Sequence, residues 1–464
     1  MAVISIVSKK ELECGTRIDA EYYRPEYAKL EEILLASNPL PLKKLVKSIK
    51  SFGAYSLMNQ VTYQEKGIPF LRAIDIKEGY ADFSNVVRIT KDAHKLLWKS
   101  EIKPRNVLLA MSGSVGNSCV ASDKWKYPIN SSQDLAKITV ADIINPYLLS
   151  TFLNSKYGRF QTQRLPVGSI QQHVFLWQIG LIKVPLLTNI QEYIACLVQN
   201  SETKLQESEN LYFQAEQILL SELGLHSWKP RHTLTYVRSF SQVAKASRMD
   251  AEHFQPKYKE LREIIRNYSS GYLKLIDIAV NSNETIEPHA NPEHDFEYIE
   301  LADINQTIGV IENAKIINGK DAPSRARMLL RNGDVIASSV EGSLDKVALV
   351  SEEYDGAIGS TGFFVLRPRT VSSGYLLALI KSIIVHEQMH CEASGTILSA
   401  VPAKSLKNII VPNIQQEIQD AISALVQQSH AARREAKTLL EKAKRAVEIA
   451  IEEGEERAME FLSR

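Results

Sequence analysis

Arg17-Ile-Asp-Ala-Glu21 and Arg248-Met-Asp-Ala-Glu252 are one short phrase written twice, 231 positions apart. Each copy runs on through an aromatic residue (Tyr23, Phe254) and a proline (Pro25, Pro256) into a stretch with helical spacing. Working outward, further pairs keep the same order. Leu71-Arg-Ala-Ile-Asp-Ile76 answers Glu300-Leu-Ala-Asp-Ile304, and Asn106-Val-Leu-Leu-Ala110 answers Gly333-Asp-Val-Ile-Ala337. Gly113-Ser-Val115 answers Gly342-Ser-Leu344, Ile129-Asn-Ser131 answers Ile358-Gly-Ser360, and Gly168-Ser-Ile170 answers Gly395-Thr-Ile397. Val184-Pro185 answers Val411-Pro412, and Leu197-Val-Gln-Asn-Ser201 answers Leu425-Val-Gln-Gln-Ser429. Chance could give one such match, but not this many in register. The period is far too long for a solenoid repeat, so a whole module is duplicated.

Each module opens with a helix, about 19–36 and 250–267. Alternating β-branched stretches follow (Asn106–Met111, Ser118–Ala121, Asp334–Ser338, Val347–Val350), separated by Gly-Ser and Asn-Gly turns. Helices are expected near Pro146–Thr162 and Gly374–Cys391, and Pro185 and Pro412 then mark a boundary. Beyond it the pattern becomes helical, from about Asn189 to Leu223 and from about Asn413 to Phe461. Steps alternating three and four give a coiled-coil seam through Ile194, Leu197, Leu205, Tyr212 and Leu219, and through Ile422, Leu425, Leu439 and Ala443. A 35-residue helix is roughly 50 Å long at ~1.5 Å per residue, too long for one small domain to cover, so the two stripes bury against each other. The expected class is α+β: two globular α/β-mixed modules related by a pseudo-twofold repeat, joined by two long helices in an antiparallel coiled coil. The expected boundaries are 1–186 and 225–411 for the modules, and 187–224 and 412–464 for the helices.

The composition, 44% hydrophobic and 23% charged over 464 residues, is that of a globular protein. Fifty-five Lys+Arg against 54 Asp+Glu exclude a polycation but leave room for local basic faces. Cys14, Cys119, Cys196 and Cys391 lack C-x-x-C spacing, which fits a reducing, cytoplasmic setting. The start is charged too early for a signal peptide, and no run of ~18 apolar residues predicts a membrane span. P-loop, dinucleotide, G-x-S-x-G and amino-methyltransferase motifs are all missing. His386-Glu-Gln-Met-His390 has the H-E-x-x-H spacing of a zinc hydrolase, with Glu387 as base. The matching stretch from Arg159 to Gln163 has neither His nor Glu, and only Glu392 could follow as a third ligand, so no metal site is assigned. Glu209-Asn-Leu-Tyr-Phe-Gln214 coincides with a viral-protease recognition sequence, but Tyr212 fits the seam and the stretch is read as native helix.

Basic and amide side chains gather in both modules. Arg72, Lys103, Arg105, Asn117 and Lys124 lie around the strands of the first, and Arg159, Arg164 and Gln171 in and after its helix. Asn305, Arg325, Arg327 and Lys346 occupy comparable places in the second. Arg and Lys neutralise phosphates, and Arg, Asn and Gln can pair with purine edges, so these twelve are the candidate DNA contacts.

With the repeated R-[IM]-D-A-E-x-[YF]-x-P entry, the Val-Leu-Leu-Ala-Met-Ser-Gly-Ser-Val-Gly116 strand-turn and the exit from Gly168 through Val184-Pro185 into a helix, the layout resembles the specificity (S, HsdS) subunit of type I restriction–modification enzymes. Gln191, Gln415 and Gln416 at the helix starts and Ala215-Glu-Gln-Ile-Leu-Leu220 add to it, so the resemblance covers nearly the whole chain. It implies two target recognition domains, each reading half of a split site on double-stranded DNA, with the coiled coil as spacer. It implies docking of two methyltransferase subunits and, for cleavage, of translocase–nuclease restriction subunits. The chain itself would be non-catalytic and without a cofactor, S-adenosylmethionine, ATP and Mg²⁺ belonging to its partners. Non-identical modules (Arg72 opposite Leu301, Lys124 opposite Glu353) predict an asymmetric site. A zinc hydrolase and a protein-only coiled-coil scaffold are the alternatives.

Overall fold

The computed structural model describes residues 6, 20, 22–51, 61–165, 173–395 and 398–463. Arg17, Ile18, Asp19 and Glu21 of the first repeated phrase, and positions 168–172 and 396–397, lie outside the described residues. The chain divides into two compact units, Met1–Lys204 with Glu435–Arg464, and Leu205–Arg434.

In the first unit, helix α1 (Pro25–Ala36) starts at its proline rather than near residue 19. Proline at the first helical position loses no hydrogen bond. Strands 46–50, 135–140, 107–110 and 118–120 form, in that order, an antiparallel sheet. Period-two alternation gives this sheet two apolar faces. Val107, Leu109 and Ile138 face a core with Tyr147, Leu148, Phe152 and Tyr157. Leu108, Ala110, Cys119 and Leu135 face a second core with Leu71, Ile76, Ile102 and Ile129. A five-stranded sheet supplies the partners of that second core, with Ile68–Leu71 parallel to Ile129–Ser131.

The single helix expected over Pro146–Thr162 is two, α2 (Pro146–Asn154) and α3 (Lys156–Arg164). Ser155 between them is extended at φ −68°, ψ 165°, and its hydroxyl accepts from the Gly158 N–H. That corner needs glycine, because a Cβ on Gly158 would lie 2.3 Å from the Phe152 carbonyl oxygen. Helix α4 (Gln191–Glu222) follows and carries the chain from the first unit into the second.

The second unit begins with a short helix, α5 (Phe240–Ala246), and then α6 (Pro256–Arg266), which again starts at a proline. Strands 279–281, 363–368, 335–338 and 347–349 form an antiparallel run, extended by 310–311 and 304–305. Val335, Ala337, Phe364 and Leu366 face a helical core, whereas Ile336, Phe363, Val365 and Ala348 face the other side. A four-stranded sheet lies beyond, in which Asp295–Ile299 runs parallel to Ile358–Ser360. Here too the helix expected over Gly374–Cys391 is broken, at Ser382, into α7 (Ser373–Lys381) and α8 (Ile383–Glu392).

The second long helix, α9, spans Gln416–Glu453 and does not run on to Phe461. Gly454 adopts φ +96°, which stops the helix. A short helix α10 (Glu455–Ser463) then turns back, its Leu462 carbonyl accepting from Lys442 Nζ and its Ala458 joining the first unit's core. The two long helices pack together. In the first unit Ser201 Oγ donates to the Ala436 carbonyl at 2.9 Å, and Ile190, Ile194 and Val198 share a core with Ala443, Ala446 and Val447. In the second, Ser429 Oγ donates to the Ser208 carbonyl at 2.7 Å, and Tyr212, Ala215 and Leu219 share a core with Ile422 and Val426. Partner numbers fall along α9 as they rise along α4, so the helices are antiparallel. Seam serines are small enough for close approach, and their hydroxyls, buried away from water, bond to the facing backbone. Val198 and Val426 are fully buried where Leu197 and Leu425 are half-buried; Leu205 and Leu439 are also half-buried. Among the described residues, no helix is long and apolar enough to cross a membrane.

Candidate nucleic-acid interface

The twelve candidate contacts divide by what their side chains touch. Arg72 begins a 3-10 turn whose Asp75 carboxylate takes the Arg72 N–H at 2.8 Å and its guanidinium at 3.1 Å. The hydrogen bond that Arg72 donates to Asp75 raises the Arg72 pKa further. Arg159, only 15% exposed, donates to the Val115 carbonyl, to Glu78 at 2.7 Å and to Asn117 Oδ1 at 2.6 Å. Asn117 in turn donates to the Ile76 carbonyl. Arg164, 11% exposed, pairs with Glu31 at 2.8 Å and lies over the Tyr22 ring. In the second unit Asn305 bonds Glu312, and Lys346 donates to the Ile304 carbonyl. These side chains hold loops against helices and strands.

The others face solvent. Lys103 sits 3.4 Å from Glu101, Lys124 donates to Thr203 on α4, and Arg327 pairs with Glu287 at 2.7 Å. Arg105 is exposed at φ +65°, beside a cavity of ≈ 510 Å³ also lined by Lys47, Thr139 and Glu192. Arg325 is exposed, with no side-chain partner among the described residues. Gln171 lies outside the described residues. Lys103 and Arg105 share one turn, and Arg325 ends a turn that leads into the strand Ala326–Leu329 carrying Arg327. Exposed cations on turns beside a rigid sheet are what phosphate contact requires.

The second copy of the repeated phrase, 248–252, has a local explanation that its sequence does not show. Arg248 donates to the carbonyls of Cys391, Glu392 and Ala393, the unsatisfied C-terminal end of α8. A guanidinium there satisfies orphan carbonyls and complements the helix dipole. Asp250 holds that guanidinium at 2.8 and 2.9 Å and also accepts from the His253 N–H. Burial would raise the Asp250 pKa, but the bond from Arg248 overrides it and the net shift is downward. Glu252 accepts from Tyr258 Oη at 2.5 Å and pairs with Lys257, which also reaches Glu387. In the second unit the phrase is thus a clamp between the entry of the module and its helix pair.

The same neighbourhood bears on zinc chemistry. Glu387 lies 3.2 Å from Lys257, and its pKa, raised by burial, is brought below its usual value by His386 and Lys257. His390 faces Glu341 at 3.5 Å, a different carboxylate from the one beside His386. The Glu387 carboxylate is therefore held by a cation rather than poised as a base. Among the described residues, the group with metal-ligand spacing is His253, Cys391 and Glu392. Arg262 and Asn408 occupy the Glu392 carboxylate, and burial pushes the Cys391 thiol up to about 11. With Arg248 alongside, positive charge stands where a cation would have to enter.

Sequence reasoning also missed a buried polar cluster in the second unit. Lys381 donates to the Gln306 carbonyl and lies 5.3 Å from the Tyr212 ring, with Glu216 near. Burial lowers the Lys381 pKa to about 8. His430, on α9, bonds the Ile308 carbonyl at 2.8 Å, and burial lowers its pKa to about 4. A histidine near a helical stripe was a visible signal, but its partner lies 122 residues away.

No family model and no curated protein matches the sequence. Among solved structures the chain is similar to the type I restriction-modification system S subunit from M. genitalium, with 13% identity over 89% of this chain and 94% of that one, at a TM-score of 0.39. It is also similar to the HsdS subunit from Thermoanaerobacter tengcongensis, with 15% identity over 89% of this chain and 96% of that one, at a TM-score of 0.28.

Proposed function

We propose that this chain is the DNA sequence-specificity subunit of a type I restriction–modification complex. Each of two modules reads one half of an asymmetric, bipartite site, and the chain itself has no active site. The carrying observation is the order of elements within each unit. In both, a proline-started helix leads to an antiparallel four-strand run, a parallel strand pair, a serine-broken helix pair and a long helix. Helices 25–36 and 256–266, strands 107–110 and 335–338, and strands 135–140 and 363–368 stand at matched offsets, which supports duplication of a whole module.

Matched frames with unmatched surfaces suit two different half-sites. The 3-10 turn begun by Arg72 is begun in the second unit by Glu300, so Glu300 rather than Leu301 is its counterpart and the charge there is reversed. The long helices form a coiled coil that spaces the modules and docks two methyltransferase subunits; restriction subunits join for cleavage. S-adenosylmethionine, ATP and Mg²⁺ act on those partners, in the cytoplasm. Recognition by exposed turns implies phosphate neutralisation, so binding falls steeply with salt.

A mobility-shift titration of the chain with its methyltransferase partner tests this. A shift specific to one bipartite duplex, weakening with added salt, is expected. A complex that assembles but shifts no DNA would instead identify a protein-only scaffold.

A further inference from the structure

Between α4 and α6, residues 225–249 behave unlike the rest of the second unit. Leu225 is buried in the core, but beyond it the apolar side chains turn outward: Leu234 is 91% exposed, Val237 90%, Phe240 84% and Met249 87%. Helix α5 buries none of its residues. The segment is nonetheless fixed in place. Trp228 Nε1 donates to Glu260 at 2.8 Å, and the Thr233 N–H and carbonyl both bond the Gln255 amide. Tyr236 Oη donates to the Ala251 carbonyl, and Arg238 to the Phe254 carbonyl at 2.6 Å. The segment is thus pinned along residues 251–260, while Leu234, Val237, Phe240 and Met249 stay exposed.

Charge gives a second, independent observation. From Leu223 to Met249 there is no Asp or Glu, while Lys229, Arg231, Arg238, Lys245 and Arg248 are present. Arg238 and Arg248 serve local carbonyls, but Lys229, Arg231 and Lys245 are exposed. A pinned strap with an apolar face and a one-signed rim is a surface shaped to be covered. Phosphate alone would use the cations and leave Leu234, Val237, Phe240 and Met249 in water. A protein groove uses both, burying the apolar anchors while its carboxylates meet the lysines and arginine at the edge.

We propose that residues 229–249 form a docking strap for a protein partner that offers an apolar groove rimmed by carboxylates. Resting on the function proposed above, that partner is the methyltransferase subunit. The strap lies in the second unit and seats one copy there.

The test uses the full chain co-expressed with the methyltransferase subunit, with complex mass measured by native mass spectrometry. One variant carries Leu234→Asp, Val237→Asp and Phe240→Asp; another carries Lys229→Glu, Arg231→Glu and Lys245→Glu. Both alter exposed side chains, so thermal midpoints should match the parent. The apolar variant should lose one of two methyltransferase copies, or bind it at least tenfold more weakly. The charge variant should weaken the same copy, with a reduced salt dependence. Retention of both copies at parental affinity overturns the strap but not the proposed function. Retained partners with weakened DNA binding would make the segment a nucleic-acid contact and overturn it too. If the unaltered chain takes up no methyltransferase subunit, both proposals fall.

Discussion

The turn Lys77–Tyr80 in the first unit and the turn Asn305–Gly309 in the second are fastened to their helices by opposite chemistries. In the first, the fastener is an anion: Glu78 takes Arg159 at 2.7 Å and Lys444 at 3.4 Å, and remains half-exposed. In the second, two buried bases seize backbone carbonyls, Lys381 that of Gln306 and His430 that of Ile308. Each turn has a left-handed glycine against the helices, Gly79 beneath Leu440 and Gly309 beneath Leu377. What the two share is a mechanical requirement, a loop locked to a helix. Ion pairs in water are weak and screened by salt, whereas buried bases are strong only while neutral or fully bonded. The first unit should therefore respond to salt and the second to acid.

Removing the clamp at the entry to the second unit should have the largest effect. Arg248→Ala takes the donor from the Glu392 and Ala393 carbonyls at the end of α8, leaves the Cys391 carbonyl with His253 alone and Asp250 without its cation, at a cost of about 2–4 kcal/mol. Denaturant titration with hydrogen exchange on 383–392 measures it, and an unchanged midpoint would refute the clamp.

Acid should separate the units next. The folded His430 pKa lies near 4, below the ordinary 6.5, with Arg434 and Lys381 adding repulsion to burial. Its contribution is full above pH 6.5 and is lost as pH falls toward 4, amounting to about 3 kcal/mol at most. Lys381, flanked by Glu216, Asp345 and Lys346, adds a slope at the other end, stability rising with pH between about 8 and 10.5. Thermal melts of the parent and of His430→Gln across pH 4–7 check the first arm, since the variant should lose the slope. An equal slope in the variant would assign the acid response elsewhere.

A smaller effect is expected at the seam between the two long helices. Ser429→Leu inserts bulk where Oγ now meets the Ser208 carbonyl, at a cost of about 1–3 kcal/mol, read as a lowered unfolding midpoint. Glu78→Gln should have the least effect, under about 1 kcal/mol, because its pairs are half-exposed. That loss should vanish in high salt, and persistence there would break the contrast between the two turns.

Much of the frame was legible because it is local. Short apolar runs at Val107–Ala110 and Val335–Ser338 marked strands, though the alternation expected there is absent because both faces are buried, and the three-four stripe marked both long helices. The helix breaks at Ser155, Ser382 and Gly454 were less so, since the apolar stripe continues through each. The chemistry of the candidate site was hardest to read, because its deciding partners are distant in sequence. Arg159 looks like a free surface cation until Glu78, 81 residues earlier, folds against it. Arg248 looks like part of a recognition phrase until the end of α8, more than 140 residues later, supplies its carbonyls.

The central claim is that two related modules read two different half-sites. Sequencing the methylated bases of DNA from a host that carries this chain with its methyltransferase subunit tests it most directly. The account predicts one new motif of two unlike halves separated by a fixed run of unspecified bases. A single uninterrupted motif, a palindrome or no new methylation would contradict it.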